Sequence, residues 1–274
     1  MKISVISLIS YDADMIMSSI KSYYNYVDQI VLGLDVNRIT WSGNPFSFDE
    51  EKLWKQLDDI DTDNKILIVE DNFHKSSIPM ENDTYERNFL KNYCTGDWIL
   101  SFDADEVLLN AHDFFYRFVP LFEPYKTKKD LLFTWFLPYK YLPVTDSYLV
   151  ITNNDNTIFR GDTQGFATDK NNTYTYARWT NNKNIVQSPL CILHWSFCRP
   201  AKAIDMKINN FGHSDRTKDD PFFDNWKKVD HTNYKQLRNF KTSGFGDNQW
   251  EKLLEVPANN FQDWMKSQTD KVYR

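Results

Sequence analysis

The amino-acid sequence predicts an α/β protein built on a doubly wound, mostly parallel sheet with a C-terminal helical extension. Two observations in the first half of the chain support this fold class. Short apolar runs alternate with amphipathic helical patterns, as expected when parallel strands are joined by helices. Acidic residues follow several of these runs, at the edge where doubly wound sheets bind ligands.

Four apolar runs predict the strands of the first half. They are Lys2–Leu8, Gln29–Leu34, Lys65–Val69 and Trp98–Phe102. The first run has one basic residue and no small-residue cleavage site, so a buried strand explains it better than a signal peptide. The other three end close to Asp35, Asp71 and Asp103, and one cleft at the shared sheet edge is expected to collect these carboxylates.

Three helices are predicted between these strands. Asp14–Tyr26 places apolar residues at helical spacing, and Asp49–Leu57 is predicted as a short acidic helix. Asp83 and Glu86 have the spacing of a capping box, so the third helix is expected to begin at Asp83 and to stop before Gly96. Its buried face is expected to carry Tyr85, Phe89 and Tyr93.

The second half is less regular. Strands are predicted at Leu131–Leu137, Ser147–Ile151 and Cys191–Trp195, and a polar, Asn-rich stretch over Asn153–Asn184 is predicted to be rich in loops. Pro200 suits the first turn of a helix that stops at Gly212. Residues 213–274 are predicted to form helices packed on the core.

Composition restricts the function classes. Residues 1–113 carry 9 Lys and Arg against 21 Asp and Glu, whereas the remainder carries 23 basic and 17 acidic residues. This asymmetry either places an acidic site beside an anion-binding surface or reflects unevenly distributed solvated charge. The three cysteines suggest neither a disulfide framework nor a zinc site, and no apolar run reaches the length of a membrane span. A cytoplasmic location is expected, with peripheral membrane attachment as the alternative.

The segment after the fourth strand carries the main chemical signal. Asp103, Asp105 and Glu106 are three carboxylates within four residues, and such a cluster favours a divalent cation with oxygen ligands, Mn²⁺ or Mg²⁺. The eight glycines form no Gly-rich phosphate loop, which disfavours dinucleotide oxidoreductases and P-loop enzymes. A bound diphosphate therefore needs a metal or basic side chains to balance its charge.

The segment from Glu86 to Glu106 resembles the family 2 branch of the GT-A glycosyltransferases. An Arg-Asn helix, a Gly-Asp-Trp turn and a strand lead to Asp-Ala-Asp-Glu in the same order. The resemblance covers roughly residues 1–110 and implies a GT-A type, Rossmann-like sheet with a nucleotide-diphosphate sugar as donor. It implies a catalytic domain over 1–212, with a nucleotide-sugar-binding half (1–110) and an acceptor half (111–212), followed by the extension over 213–274.

The resemblance also implies roles for individual residues. Asp103 would contact the ribose or the metal, and Asp105 would ligate the metal. Asp35 would read the base. Arg87 would face the diphosphate or brace the aspartates, unless it only pairs with Glu86 or Asp83. The full predicted nucleotide-sugar site is Ile9, Tyr11, Asp12, Asp35, Asp71, Arg87, Asp103 and Ala104.

A late histidine is the remaining metal candidate. His194 ends an apolar strand, where it is either a third metal ligand beside Asp103 and Asp105 or a core residue with satisfied hydrogen bonds. Lys207 and His213 follow on the next helix and its end. They either contact phosphate or have capping and surface roles.

The sequence offers four candidates for the catalytic base. A carboxylate must accept the proton of the attacking hydroxyl, and the candidates on the loop-rich stretch are Asp146, Asp155, Asp162 and Asp169. Asp162 is preferred because it follows a predicted strand and stands close to Arg160. Each of the four is otherwise a solvated loop residue.

The sequence thus predicts a metal-dependent, inverting glycosyltransferase acting on a saccharide or glycolipid hydroxyl. The alternative acceptor is a hydroxymethylated base of DNA, because basic and aromatic residues are interleaved after residue 200. More remote alternatives are a nucleotidyltransferase and a non-catalytic protein that binds nucleotide sugars.

Overall fold

The computed structural model describes residues 1–121, 129–158, 163–217, 220–238, 240–241 and 250–270. The strands are β1 (Ile3–Ile9), β2 (Gln29–Asp35), β3 (Ile66–Asp71), β4 (Trp98–Phe102), β5 (Glu106–Leu108), β6 (Asp130–Phe136), β7 (Pro138–Leu142), β8 (Ser147–Thr152), β9 (Thr163–Asp169), β10 (Tyr174–Tyr176), β11 (Trp179–Thr180), β12 (Ile185–His194) and β13 (Lys252–Pro257). The α-helices are α1 (Ile16–Tyr23), α2 (Glu50–Ile60), α3 (Pro79–Lys91), α4 (Ala111–Asp113), α5 (Ala201–Asn210), α6 (Ser214–Thr217), α7 (Phe222–Lys228) and α8 (Phe261–Asp270).

An eight-stranded sheet in the order β3-β2-β1-β4-β9-β6-β12-β5 organises the molecule. Strands β3, β2, β1 and β4 are mutually parallel, and β6 and β12 are parallel to each other. Strand β9 runs antiparallel to both of its neighbours, and β5 runs antiparallel to β12. The predicted α/β class with a mostly parallel sheet is therefore confirmed. All seven residues of β1 are buried, as expected for a strand inside a sheet covered on both faces.

The third predicted helix begins earlier than the capping-box pattern indicates. Helix α3 starts at Pro79, which occupies a first-turn position, and Asp83 lies inside the helix. The inward face therefore carries Asp83, Glu86 and Arg87. Of the three predicted aromatic residues, Phe89 is partly buried against the core, whereas Tyr85 and Tyr93 are exposed. The prediction was wrong because a buried polar face has the same sequence pattern as a solvent-facing one.

The Asn-rich stretch is more ordered than predicted. It contributes β9, which lies between β4 and β6, and the β10–β11 hairpin. Alternating apolar residues are sparse here because this part of the chain packs its polar side chains against buried charges. The hairpin brings Arg178 to the carboxyl end of β4.

The segment after residue 212 combines helices with one strand. Helices α6, α7 and α8 fit the prediction, whereas β13 pairs with β8 in a second, three-stranded antiparallel sheet. Phe222, Trp226 and Trp250 belong to the same hydrophobic cluster as residues of β1 and β4. The boundary at residue 212 stays a prediction. None of the helices in the described ranges combines the length and apolar character needed to cross a membrane.

Gly165 in β9 allows the β10–β11 hairpin to pack closely. A Cβ atom at this position would lie 2.7 Å from the carbonyl oxygen of Arg178. We expect Gly165→Ala to lower the free energy of unfolding by about 1–3 kcal/mol, because overpacking forces the backbone apart. Urea denaturation measures this, with Thr175→Ala at an exposed hairpin position as a control that changes by less than about 0.5 kcal/mol. Equal stability of the two variants would contradict the prediction.

Candidate functional site

A cavity of about 540 Å³ opens at the carboxyl ends of β1, β2, β4 and β12. The predicted site residues that line it are Ile9, Tyr11, Asp12, Asp35, Arg87, Asp103, Ala104, Asp105 and His194. Asp71 is not part of this lining, and its Oδ1 accepts the backbone N–H of Asn72 at 2.7 Å. Asp162 lies outside the described residues. The fold thus brings most of the predicted residues to one cleft.

A buried pair of charged side chains anchors the cavity floor. The Arg178 guanidinium donates to both oxygens of Glu106, with Nη1 2.7 Å from Oε2 and Nη2 2.9 Å from Oε1. The indole Nε1 of Trp135 donates to the same carboxylate at 2.7 Å. Such two-pronged geometry fixes the orientation of the guanidinium plane. The hairpin is therefore held to the end of β4 through Arg178.

Two guanidinium groups hold Asp103. Arg87 Nη2 lies 2.7 Å from Oδ1, and Arg178 Nη2 lies 3.3 Å from Oδ2. Burial raises the pKa of Asp103, but the charges of Arg178 and Arg87 outweigh it and hold this pKa below the ordinary value. Arg87 also donates to Asp83 at 2.5 Å. Both roles weighed for Arg87, a brace for the aspartates and an ion pair with Asp83, are present in the structure.

Asp105 is the more deeply buried of the two aspartates. Its Oδ2 accepts hydrogen bonds from Lys207 Nζ at 2.7 Å and from the Arg199 guanidinium, and His194 Nε2 lies 3.3 Å from the same oxygen. Burial raises the pKa of Asp105, yet the neighbouring Lys207, His194 and Arg199 together hold it well below the ordinary value. The carboxylate is therefore ionised throughout the physiological pH range.

These contacts bear on the predicted Mn²⁺ or Mg²⁺ site. Both oxygens of Asp103 and Oδ2 of Asp105 already accept hydrogen bonds from cationic groups. Within the described part of the chain, no three His, Cys, Asp or Glu side chains converge as metal ligands do. Asp105 Oδ1 and His194 Nδ1 have no hydrogen-bond partner there, which leaves two free ligand atoms. The arrangement does not fit a resident divalent cation, and metal binding stays a prediction of the sequence.

Asp35 organises the loops beside the cavity. Its Oδ1 accepts the backbone N–H groups of Asn37 and Ile39 at 2.9 and 3.0 Å, and its Oδ2 accepts that of Phe73 at 2.7 Å. A carboxylate offers about four lone-pair positions, and three of them are used in these bonds. The predicted contact between Asp35 and a nucleobase stays a prediction with little bonding capacity left for it.

Glu86 is a carboxylic acid kept neutral in the cavity wall. It is buried against Gly33 and Leu90, and its Oε2 accepts the indole N–H of Trp41 at 2.6 Å. Burial raises the pKa of Glu86 to about 8, and the indole hydrogen bond only partly opposes this rise. The side chain therefore retains its proton at pH 7.

Three residues outside the eight-stranded sheet form part of the same cavity wall. Tyr176, His213 and Arg216 line the cavity, with Tyr176 Oη 3.5 Å from His213 Nδ1 and the Arg216 guanidinium 6.0 Å from the centre of the Tyr176 ring. Burial lowers the pKa of His213 to about 4, with the Arg216 charge adding to the effect, so the imidazole is neutral at pH 7. Arg216 is an exposed cation at this wall.

The sequence indicated some of these residues but not the cationic partners. Arg178, Arg199 and Arg216 carried no pattern that separates them from surface arginines. Arg178 is 72 residues away in sequence from Glu106. The only signal was the excess of basic residues in the second half, which the local motif around Asp103 does not reveal.

Comparisons with known proteins give a weak structural likeness. No protein-family model matches the chain, and no curated protein matches it. The solved structure of S. aureus TarS 1-349 is 16% identical, with a TM-score of 0.35 over 50% of this chain and 36% of that chain. A second structure of TarS 1-349, in complex with UDP-GlcNAc, is 14% identical with a TM-score of 0.36 over 50% and 35%.

A structure of S. aureus TarS is 13% identical, with a TM-score of 0.38 over 85% of this chain and 45% of that chain. The chain spans less than half the length of the TarS structures that it matches. A likeness of this extent says nothing about the reaction, so the chemistry of the site rests on its own residues.

The neutral side chain of Glu86 predicts a pH dependence of the free energy of unfolding. An acid whose folded pKa of about 8 exceeds its unfolded value of 4.5 costs no stability below the unfolded value, and it lowers stability progressively as pH rises toward the folded value. The slope is at most about 1.4 kcal/mol per pH unit at 25 °C. Glu86→Gln keeps an oxygen for the Trp41 indole and carries no ionisable group.

We therefore expect Glu86→Gln to match the parent protein at about pH 4 and to be more stable at about pH 8.5. Thermal unfolding over a pH series measures the difference. Glu81→Gln, an exposed change on the same helix, is the control and should follow the parent protein throughout. Parallel curves for parent and Glu86→Gln would show that Glu86 is ionised in the folded state.

Proposed function

We propose that the protein is a glycosyltransferase that moves a sugar from a nucleotide-diphosphate sugar to an acceptor hydroxyl. The observation that carries this proposal is the cavity at the carboxyl strand ends, where apolar and aromatic walls meet a set of positioned cations. Ligand sites of α/β sheets lie at this edge, and the cavity volume is within the range of sites for small organic ligands. The resemblance of the Glu86–Glu106 segment to GT-A enzymes supports the same reading.

Different lining residues of the cavity suit different parts of such a donor. Tyr11, Trp41 and Phe46 supply rings and apolar surface for a nucleoside. Arg87, Arg178 and Lys207 line the wall beside Asp103 and Asp105 and are suited to a diphosphate. The positive groups are held by carboxylates before any substrate arrives, so they need little reorganisation during reaction.

The proposed reaction is a direct displacement that inverts the anomeric centre. The acceptor oxygen forms a bond to the anomeric carbon as the bond to the β-phosphate oxygen breaks. The fixed cations stabilise the charge that develops on the leaving diphosphate. A carboxylate or another base accepts the acceptor proton. Asp162 stays the predicted base, outside the described residues.

A saccharide or glycolipid hydroxyl is the proposed acceptor. The alternative, a modified base of DNA, depended on basic and aromatic residues acting together after residue 200. Lys227, Lys228 and Lys235 are exposed, but the interleaved Trp226, Tyr234 and Phe240 are buried. These rings are not available to stack on bases, so this part of the chain gives the DNA alternative less support.

Donor binding tests the proposal directly. Thermal unfolding is measured with UDP, GDP, ADP, CDP, dTDP and their sugar conjugates, each with and without added Mn²⁺. At least one nucleotide or its sugar conjugate should stabilise the protein, because a ligand that binds the folded state raises its stability. Mass spectrometry of the stabilising donor mixed with saccharide acceptors should then detect the sugar transferred. If none of the compounds shifts unfolding, the proposed donor site is wrong.

Arg216 provides a variant that tests the cavity without disturbing the buried charges. We expect Arg216→Gln to weaken binding of the stabilising nucleotide sugar by about 3- to 10-fold, because one charge near the diphosphate is lost. Titration calorimetry measures the change. Arg238→Gln removes an exposed arginine that does not line the cavity and should leave affinity unchanged. Equal affinities for the two variants would place the ligand elsewhere.

A further inference from the structure

We infer that Lys207 and Arg199 take the place of a divalent cation at Asp105, so that the donor diphosphate is bound by Lys207 and the other fixed cations that line the cavity. This inference rests on the proposed function and specifies how that site balances the charge of its substrate. It reverses the role that the sequence suggests for the two aspartates: they hold cations of the protein rather than a metal ion.

The first support is the occupancy of Asp105 Oδ2. Lys207 Nζ lies 2.7 Å from this oxygen, and Arg199 donates to it as well. A divalent ion at the same carboxylate would lie close to an ammonium and a guanidinium group. Like charges a few ångströms apart inside a protein repel strongly, and the repulsion doubles for a divalent ion.

The second support is that each oxygen of Asp103 already accepts a hydrogen bond from a cationic side chain. Its two oxygens are engaged by Arg87 and Arg178, which are themselves buried and anchored by Asp83 and Glu106. Releasing Asp103 to a metal would leave two buried guanidinium groups with fewer partners, which is costly. The two aspartates therefore do not form a vacant pair of ligands.

The third support is the placement of Lys207 relative to the cavity. It projects from α5 into the cavity wall and is only 7% exposed, so its position is fixed by packing. An ammonium group has three N–H donors, and Asp105 is its one hydrogen-bond acceptor among the described residues. Two donors therefore remain for phosphate oxygens. Arg87 and Arg178 line the same wall and supply two further cations.

The competing arrangement uses the atoms that are still free. Asp105 Oδ1 and His194 would be the protein ligands if an ion entered together with the donor, since Mg²⁺ often binds through one or two carboxylates and substrate phosphates. This arrangement predicts that nucleotide binding requires the metal. Binding by fixed cations predicts that it does not.

The experiment measures binding of the nucleoside diphosphate that gives the largest thermal shift. Titration calorimetry uses the protein after chelation with EDTA, and then with added Mn²⁺ or Mg²⁺. We expect the dissociation constants to agree within about threefold, a difference below about 0.7 kcal/mol. Binding only in the presence of metal would overturn the inference while leaving the proposed function intact. Absence of binding under both conditions would remove the proposed function and the inference together.

Substitutions at Lys207 test whether this side chain is responsible for metal-free nucleotide binding. Lys207→Met should weaken metal-free binding by more than about tenfold, and Lys207→Arg should retain most of the affinity because it keeps the charge. Lys202→Met, an exposed change on the same helix, is the control. Added Mn²⁺ should restore part of the affinity of Lys207→Met, because the change removes one of the two cations that donate to Asp105 Oδ2. Equal metal-free affinity of Lys207→Met and Lys202→Met would overturn the inference, and circular dichroism of both variants checks that they are folded.

Discussion

The buried ion pair between Arg178 and Glu106 is the interaction on which the site depends most. It joins a hairpin from the second half of the chain to the residue that follows the Asp-Ala-Asp turn. A buried charge without its partner costs several kcal/mol, so neither residue tolerates loss of the other. Because the same guanidinium also contacts Asp103, the position of the hairpin and the geometry of the turn are set together.

The strand-end carboxylates differ in what they do because different donors surround them. Asp35 meets backbone N–H groups and fixes loops, whereas Asp103 and Asp105 meet cationic side chains. Asp71 forms a local turn contact outside the cavity. Topology brought three of these four residues to one cavity, but the function of each depends on neighbours supplied by distant segments.

This distinction explains how much of the molecule the sequence could predict. The buried first strand and the parallel direction of the early strands follow from local apolar runs. The cleft at Asp103 follows from a general rule about sheet edges. The start of α3 and the regular structure within the Asn-rich stretch could not be predicted in this way, because their buried faces are polar. Arg87 in α3 and Arg178 in the Asn-rich stretch pair with buried carboxylates. A hydrophobicity pattern predicts such polar faces to be solvent-exposed.

The charge asymmetry of the chain acquires a physical meaning from these contacts. The carboxylates at the cavity come from the acidic first half, and Arg178, Arg199 and Lys207 come from the basic second half. Arg87 is the exception, since it lies in the first half. Each half alone would bury like charges that repel, and together they form pairs in which both charges are compensated. Folding of the site therefore requires the second half to dock on the first. The same docking places Arg178 and Lys207 at the cavity wall, so the acidic turn that looks like a metal site in sequence becomes the support for a set of fixed positive charges.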